Sequence, residues 1–247
     1  MKMTEIFAHR GSSGTFPENT FAAFKEAEKV GSDGIEIDVH LTRDDEIVII
    51  HDKTVDRTTN STGLVREYTL AEIKKLDAGS WFSVENKGEK IPTLKELLDW
   101  MQGNSITLNI ELKNVTIQYP DFEKRIINEI EESGLEDRII ISSFNHYALK
   151  RVNELNPKIE SAILYAQQLF EPWNYAKKLG ARGLHPHDPK TDLETINIAQ
   201  QNGFPVRIYT VNNEERMKEL IDRGCSAIIS DYPEKALRIK ETLRVKN

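Results

Sequence analysis

Residues 34–40 read GIEIDVH. In an extended strand successive side chains point to opposite faces, so Glu36 and Asp38 share one face while Ile35, Ile37 and Val39 share the other. The aliphatic face suits covering helices. The other face carries two carboxylates. Short runs of similar Ile- and Val-rich character recur at 6–9, 47–51, 106–112, 138–143, 161–165, 182–185, 206–211 and 227–230. Runs of this length and composition read as strands buried on both faces, as in a parallel sheet.

Helical segments separate them. Asn19 is placed to cap a helix over 20–30, where Phe21, Phe24 and Ala27 share a face and Gly31 ends the segment. Thr93 followed by Glu96 forms a capping box for 94–101. Further helices are predicted over 122–133, 147–155, 173–179, 193–201 and 214–223, several closed by glycine, and Pro233 opens the last. With the 47–51 run set aside as a hairpin strand, eight strand–helix units remain. Eight units in 247 residues predict a closed (β/α)8 TIM barrel, an α/β fold, rather than an open doubly wound sheet. One domain over 1–247 is expected, with 53–92 as a small insertion between the second strand and its helix, too short for an independent core.

Composition narrows the partners. Lys and Arg total 33 against 40 Asp and Glu, a net charge of −7, which argues against a general nucleic-acid binder. No apolar run approaches the roughly 18 residues of a membrane span, so no stable membrane insertion is expected. The opening MKMTEIFAHRG has no apolar leader, and the single cysteine, Cys225, forms no intrachain disulfide. Both favour a cytoplasmic location. Oligomeric state is not legible.

In β/α barrels the working groups lie where strands end. The first strand ends in His9-Arg10-Gly11, the second carries Glu36 and Asp38, the hairpin ends in His51-Asp52, and the next strand ends in Glu111-Leu112-Lys113. Two carboxylates crowded in a barrel mouth need neutralising. A divalent cation does this, and oxygen ligands favour Mg²⁺, Ca²⁺ or Mn²⁺ over zinc, with Glu111 as a third ligand. The alternative is an ion pair with Arg10, Lys113 or Arg43. His9 and His51 fit a general base and a general acid for cleavage at phosphorus. Arg10 and Lys113 fit a phosphodiester anion. His185-Pro186-His187 ends the 182–185 strand, where it could line the mouth, though a surface loop is the preferred reading, and Trp81, Phe82 and Tyr68 read as either a lid or local packing.

HRG at 9–11, PENT at 17–20, E-x-D at 36 and 38, HD at 51–52, ELK at 111–113, SSF at 142–144, YTVN at 209–212 and SDYP at 230–233, in this order, resemble the glycerophosphodiester phosphodiesterase family. The resemblance implies metal-dependent hydrolysis of a small-molecule glycerophosphodiester to sn-glycerol 3-phosphate and an alcohol. It implies His9 and His51 as the acid–base pair and Glu36, Asp38 and Glu111 as ligands of Ca²⁺ or Mg²⁺. Arg10 and Lys113 would hold the phosphate, with Tyr209 as a flat face for the glycerol and Phe144 as an apolar wall. Attack by the glycerol 2-hydroxyl and attack by water both remain open. Rival readings are a phosphatidylinositol-specific phospholipase C, a lysophospholipase D-type activity on an acylated substrate, and a non-catalytic phosphodiester-binding protein on the same fold.

Overall fold

The computed structural model describes residues 3–188 and 191–246, so residues 1–2, 189–190 and 247 of the expected 1–247 domain lie outside the described residues. In chain order the elements are β1 (Glu5–His9), α1 (Phe21–Lys29), β2 (Gly34–Leu41), β3 (Ile47–Ile49), α2 (Leu70–Ile73), α3 (Leu94–Met101), β4 (Thr107–Leu112), α4 (Phe122–Ser133), β5 (Ile139–Ser143) and α5 (His146–Leu155). They continue with β6 (Glu160–Tyr165), α6 (Pro172–Leu179), β7 (Gly183–Pro186), α7 (Leu193–Gln201), β8 (Arg207–Ile208), α8 (Glu214–Asp222), β9 (Ala227–Ser230) and α9 (Pro233–Lys246).

The parallel strands run in the order β7-β6-β5-β4-β2-β1-β9-β8, and β3 pairs antiparallel with β2 outside that path. The ring closes between β7 and β8 through the bridges Leu184–Val206 and His187–Tyr209, with Leu184 N–H donating to Pro205 O at 3.0 Å. The fold is a TIM barrel. The strand expected over 206–211 contributes only Arg207 and Ile208 to regular pairing, its flanks meeting β7 through single bridges.

Side-chain alternation separates two environments. Ile35, Ile37 and Val39 face outward into the main core, which also takes Phe24, Leu97, Phe122 and Ile126 from the helices. Inside the barrel, Phe7, Ile140, Ala162, Ala227 and Ile229 form an apolar floor. Gly34 lies opposite Phe7 in the register, and a Cβ there would sit 2.4 Å from the Phe7 ring. The floor therefore fills the space that a side chain at position 34 would need, and the polar residues of the same strands stack above it.

The capping box of α3 forms as read, with Glu96 N–H on Thr93 Oγ1 at 3.1 Å and Thr93 N–H on Glu96 at 2.8 Å. The expected cap of α1 does not. Thr20 caps that helix, and Asn19 takes a left-handed φ of 56° that sends its amide to Asp38. His185, read as a loop residue, is fully buried on β7 inside the barrel, beside Arg207. Residues 53–92 leave β3 and return to it. Val55, Val65, Ile73, Ala78 and Ile91 gather a small cluster on Val48 and Ile50.

Candidate active site

The register between β2 and β4 sets Asp38 opposite Glu111, and alternation on β2 places Glu36 on the same inner face. One carboxylate oxygen from each of the three lies within 4.8 Å of the others. Glu36 and Asp38 are 4 % and 1 % exposed. Asp38 Oδ2 accepts from Asn19 Nδ2 at 3.0 Å and faces Arg10 Nε at 3.3 Å. Glu36 Oε2 accepts the Arg10 backbone N–H at 3.1 Å, and Glu111 accepts Lys113 Nζ at 2.8 Å. The alternative partner, Arg43, turns away to Glu67 O and Glu72.

Burial, with the Asp38 and Glu111 charges added, pushes the Glu36 carboxyl well above its usual range. Burial raises Glu111 as well, Lys113 opposing. For Asp38 burial acts upward too, but the Lys113 and Arg10 charges outweigh it and hold the carboxyl below its usual range. Three carboxylates are thus packed more tightly than two cations neutralise. Asp38 Oδ1 is buried and accepts no hydrogen bond, Lys113 Nζ standing at 3.5 Å. An all-oxygen set with an unfilled buried acceptor fits a hard divalent cation.

The loop after β1 is shaped for this contact. Arg10 takes a left-handed φ of 56° and Gly11 one of 78°. A Cβ on Gly11 would lie 2.6 Å from that of Ala23, so only glycine lets the loop sit this close to α1. Asn19 N–H donates to Arg10 O at 2.9 Å, joining the two left-handed residues.

Both histidines are backed by carboxylates. His9 Nδ1 meets Asp231 Oδ1 at 2.6 Å, and Asp231 also accepts from Ser13 Oγ and Asn212 Nδ2. His51 Nδ1 meets Asp52 Oδ1 at 2.7 Å, and Asp52 accepts from Arg57 Nε at 2.7 Å. Burial acts to raise both carboxyls. Hydrogen bonds outweigh it, from Arg57 and His51 on Asp52 and from His9 on Asp231, and bring each down to about 2. Ionised carboxylates at Nδ1 make that nitrogen the donor and leave Nε2 for chemistry. His9 Nε2 stands 3.9 Å from Glu36 Oε2. His40, inward on β2, pairs Nδ1 with Tyr119 Oη at 2.8 Å and Nε2 with His51 O at 3.2 Å. Burial lowers it to about 4, so a neutral His40 anchors the His51 backbone.

A cavity of about 570 Å³ opens beside the triad, lined by His51, Glu111, Lys113, Val115 and Phe144 among others. Phe144 packs edge-on against Tyr209 at 6.2 Å, and His187 lies 5.4 Å from Tyr209 on its other contact. All the residues picked out from strand ends thus converge on one mouth. Sequence reasoning missed Arg57 and the partner roles of Asp52, Asn212 and His40. The signals were the stretch VDRTTNSTGLV at 55–65 and the inward parity of His40. Trp81 and Tyr68 are engaged locally, Trp81 Nε1 on Ala78 O and Tyr68 Oη on Thr62 O.

Barrel and mouth together define a β/α barrel with two carboxylate-backed imidazoles around an acidic triad that could hold a metal ion. Comparison with known proteins makes the class specific. The Glycerophosphoryl diester phosphodiesterase family pattern matches residues 9–235. A glycerophosphodiester phosphodiesterase of Caldanaerobacter subterraneus subsp. tengcongensis is 44 % identical, the match covering 96 % of this chain and 97 % of the relative. One of Bacillus altitudinis is 40 % identical over 98 % of this chain and 100 % of its own. An Oleispira antarctica phosphodiesterase, solved in complex with the product sn-glycerol-3-phosphate, superposes with a TM-score of 0.87 at 34 % identity, covering 97 % of each chain. The chain belongs to the glycerophosphodiester phosphodiesterase family and is an enzyme of that family. Among the described residues no helix is long and apolar enough to cross a membrane.

Proposed function

We propose that the chain hydrolyses small-molecule glycerophosphodiesters to sn-glycerol 3-phosphate and an alcohol, with His9 and His51 exchanging the protons. The observation that carries this reading is the pair of imidazoles, each backed by a carboxylate on Nδ1, set around one buried triad. Glu36, Asp38 and Glu111 hold Ca²⁺ or Mg²⁺, which would supply positive charge against the phosphodiester oxygens. Arg10 and Lys113, largely buried and already facing the triad, bind the same anion. One imidazole takes the proton of the attacking oxygen, from water or from the glycerol 2-hydroxyl, while the other protonates the leaving alkoxide; on the second route water then opens the cyclic phosphate to sn-glycerol 3-phosphate. Tyr209 and Phe144 offer apolar faces to the glycerol and the alcohol. Residues 53–92 act as part of a single domain, since their apolar cluster is built on Val48 of β3, which pairs with barrel strand β2, and on Ile50 beside it.

The test is release of glycerol 3-phosphate from glycerophosphocholine by metal-stripped protein, before and after addition of Mg²⁺ or Ca²⁺. Release only with metal, abolished by His51→Ala in a folded protein, is the expected result. A His51→Ala protein with wild-type turnover removes His51 from the acid–base pair. A second reading, lysophospholipase D-type cleavage of acylated substrates, draws on Val115 and Phe144 in the cavity wall. Lysophosphatidylcholine cleaved in preference to glycerophosphocholine would favour it.

A further inference from the structure

One side chain of the 53–92 insertion, Arg57, reaches both sides of the mouth. Its Nε donates to Asp52 Oδ2 at 2.7 Å and its Nη2 to Asp52 Oδ1 at 3.3 Å. Toward Glu18 it makes a second fork, Nη1 to Oε2 at 2.6 Å and Nη2 to Oε1 at 2.8 Å. Asp52 spends its Oδ1 on His51 Nδ1, and Glu18 spends its Oε1 on Arg10 Nη1 at 2.9 Å. A single guanidinium therefore joins the carboxylate behind one imidazole to the carboxylate behind the phosphate-facing arginine.

The backbone under Arg57 is built to keep it there. Thr54 and Leu64 form an antiparallel bridge, and Val55 N–H donates to Gly63 O at 3.0 Å. Val55 and Val65 are fully buried, and Thr59 Oγ1 ties back to Val55 O at 2.8 Å. The turn is closed at its tip by Gly63 N–H on Asp56 Oδ1 at 2.8 Å. A planar fork on a fixed ribbon can satisfy two carboxylates at once, which an ammonium cannot do with the same geometry. Without it, Glu18 and Asp52 face each other as like charges and each keeps only its partner in the site.

We propose that Arg57 is a positioning residue that holds His51 and Arg10 in register across the mouth by clamping Asp52 and Glu18. The proposal rests on the acid–base reading above and adds to it that the insertion, not only the barrel, sets the geometry of catalysis. Arg43 provides the control. It too ties the barrel to the insertion, through Glu67 O at 2.8 Å and Glu72 at 3.2 Å, but it touches neither His51's nor Arg10's partner.

The experiment compares wild type, Arg57→Ala, Arg57→Lys and Arg43→Ala, all loaded with Mg²⁺, for kcat and KM on glycerophosphocholine, melting temperature, and the imidazole nitrogen NMR shifts of His51. Arg57→Ala is expected to lose kcat by roughly tenfold to a hundredfold with a smaller change in KM, as displaced supporting groups typically do. Arg57→Lys should recover part of the loss, and added guanidinium should partly restore Arg57→Ala. In wild type the His51 shifts should show a fixed Nδ1–H tautomer, and in Arg57→Ala an averaged pair. Arg43→Ala should match wild type in all three readouts. The proposal is overturned if Arg57→Ala keeps both the wild-type nitrogen shifts and kcat within twofold. It is equally overturned if Arg43→Ala loses as much rate, because general anchoring of the insertion would then explain the effect. If wild type itself releases no glycerol 3-phosphate, the functional reading fails, while the nitrogen shifts still decide whether Arg57 orients His51.

Discussion

His9 ends β1 and His51 lies just past β3, yet each has an ionised carboxylate at Nδ1, and these partners decide what the imidazoles can do. Asp231 supports His9 and is itself held by Ser13 and Asn212. Asp231→Asn removes the charge with little change of shape, and kcat is expected to fall on the order of a hundredfold while the fold persists. Steady-state kinetics alongside circular dichroism checks this. The same carboxylate affects acid stability. Its folded value is depressed from 3.8 to about 2, so its contribution is fully present above the unfolded value and is lost as pH falls from about 4 toward 2. Acid titration of Asp231→Asn should show a shallower loss over that window. The primary residues were legible because each ends a strand. Their pairings were not: Asp52 stands out beside His51 and Asp231 within SDYP, but nothing local shows that Asp231 meets His9 across 222 residues of chain. Asn19 shows the limit of local rules. Its type fits a helix cap, but its long-range bond to Asp38 takes precedence, and neighbouring Thr20 caps instead.

At the scale of the element, β2 was readable from sequence because its two faces differ so sharply. Its outward residues pack under helices and its inward residues climb from the apolar floor to the triad. Gly34 begins that climb. Gly34→Ala would press a methyl group to within 2.4 Å of the Phe7 ring, and an overpacked core of this kind is destabilised by about 1–3 kcal/mol. Urea unfolding measures the loss, and Phe7→Leu in the same chain should restore part of it. β8 was overextended in the sequence reading, since apolar residues continue through Val211 whereas regular pairing ends at Ile208. His185 was misplaced for a related reason. In sequence it ends the 182–185 strand, where the surface-loop reading is preferred over the inward one, but the pairing of β7 with β6 brings it inside.

For the whole molecule, the barrel holds three carboxylates together that repel one another when no cation is bound. A ligand that binds only the folded form stabilises it by mass action. Mg²⁺ or Ca²⁺ at a hundredfold over its Kd should add about 2.7 kcal/mol, which is roughly 5–10 °C in melting temperature for a chain of this size. Glu36→Ala should abolish that shift. Calorimetry with and without metal reads both, and an undiminished shift in Glu36→Ala would remove Glu36 from the ligand set. The barrel was legible from the count of strand–helix units. Its line of closure was not, because β7 and β8 meet through isolated bridges rather than a continuous ladder.

The insertion leaves the barrel beside β3 and returns to it, with Ile49 N–H on Pro92 O at 2.8 Å and Val48 bridged to Thr93. Its entry and exit are thus stitched to the same strand. For a loop whose ends are already held together, each doubling of length adds only about 0.6 kcal/mol of closure entropy. The exposed turns beyond the Arg57 ribbon can therefore be lengthened or exchanged without redrawing the barrel, provided Ile73, Ala78 and Ile91 still cover Val48 and Ile50. At those exposed turns folding and turnover become separately editable, because changes there alter what surrounds the mouth while the barrel strands and the Arg57 ribbon stay in place.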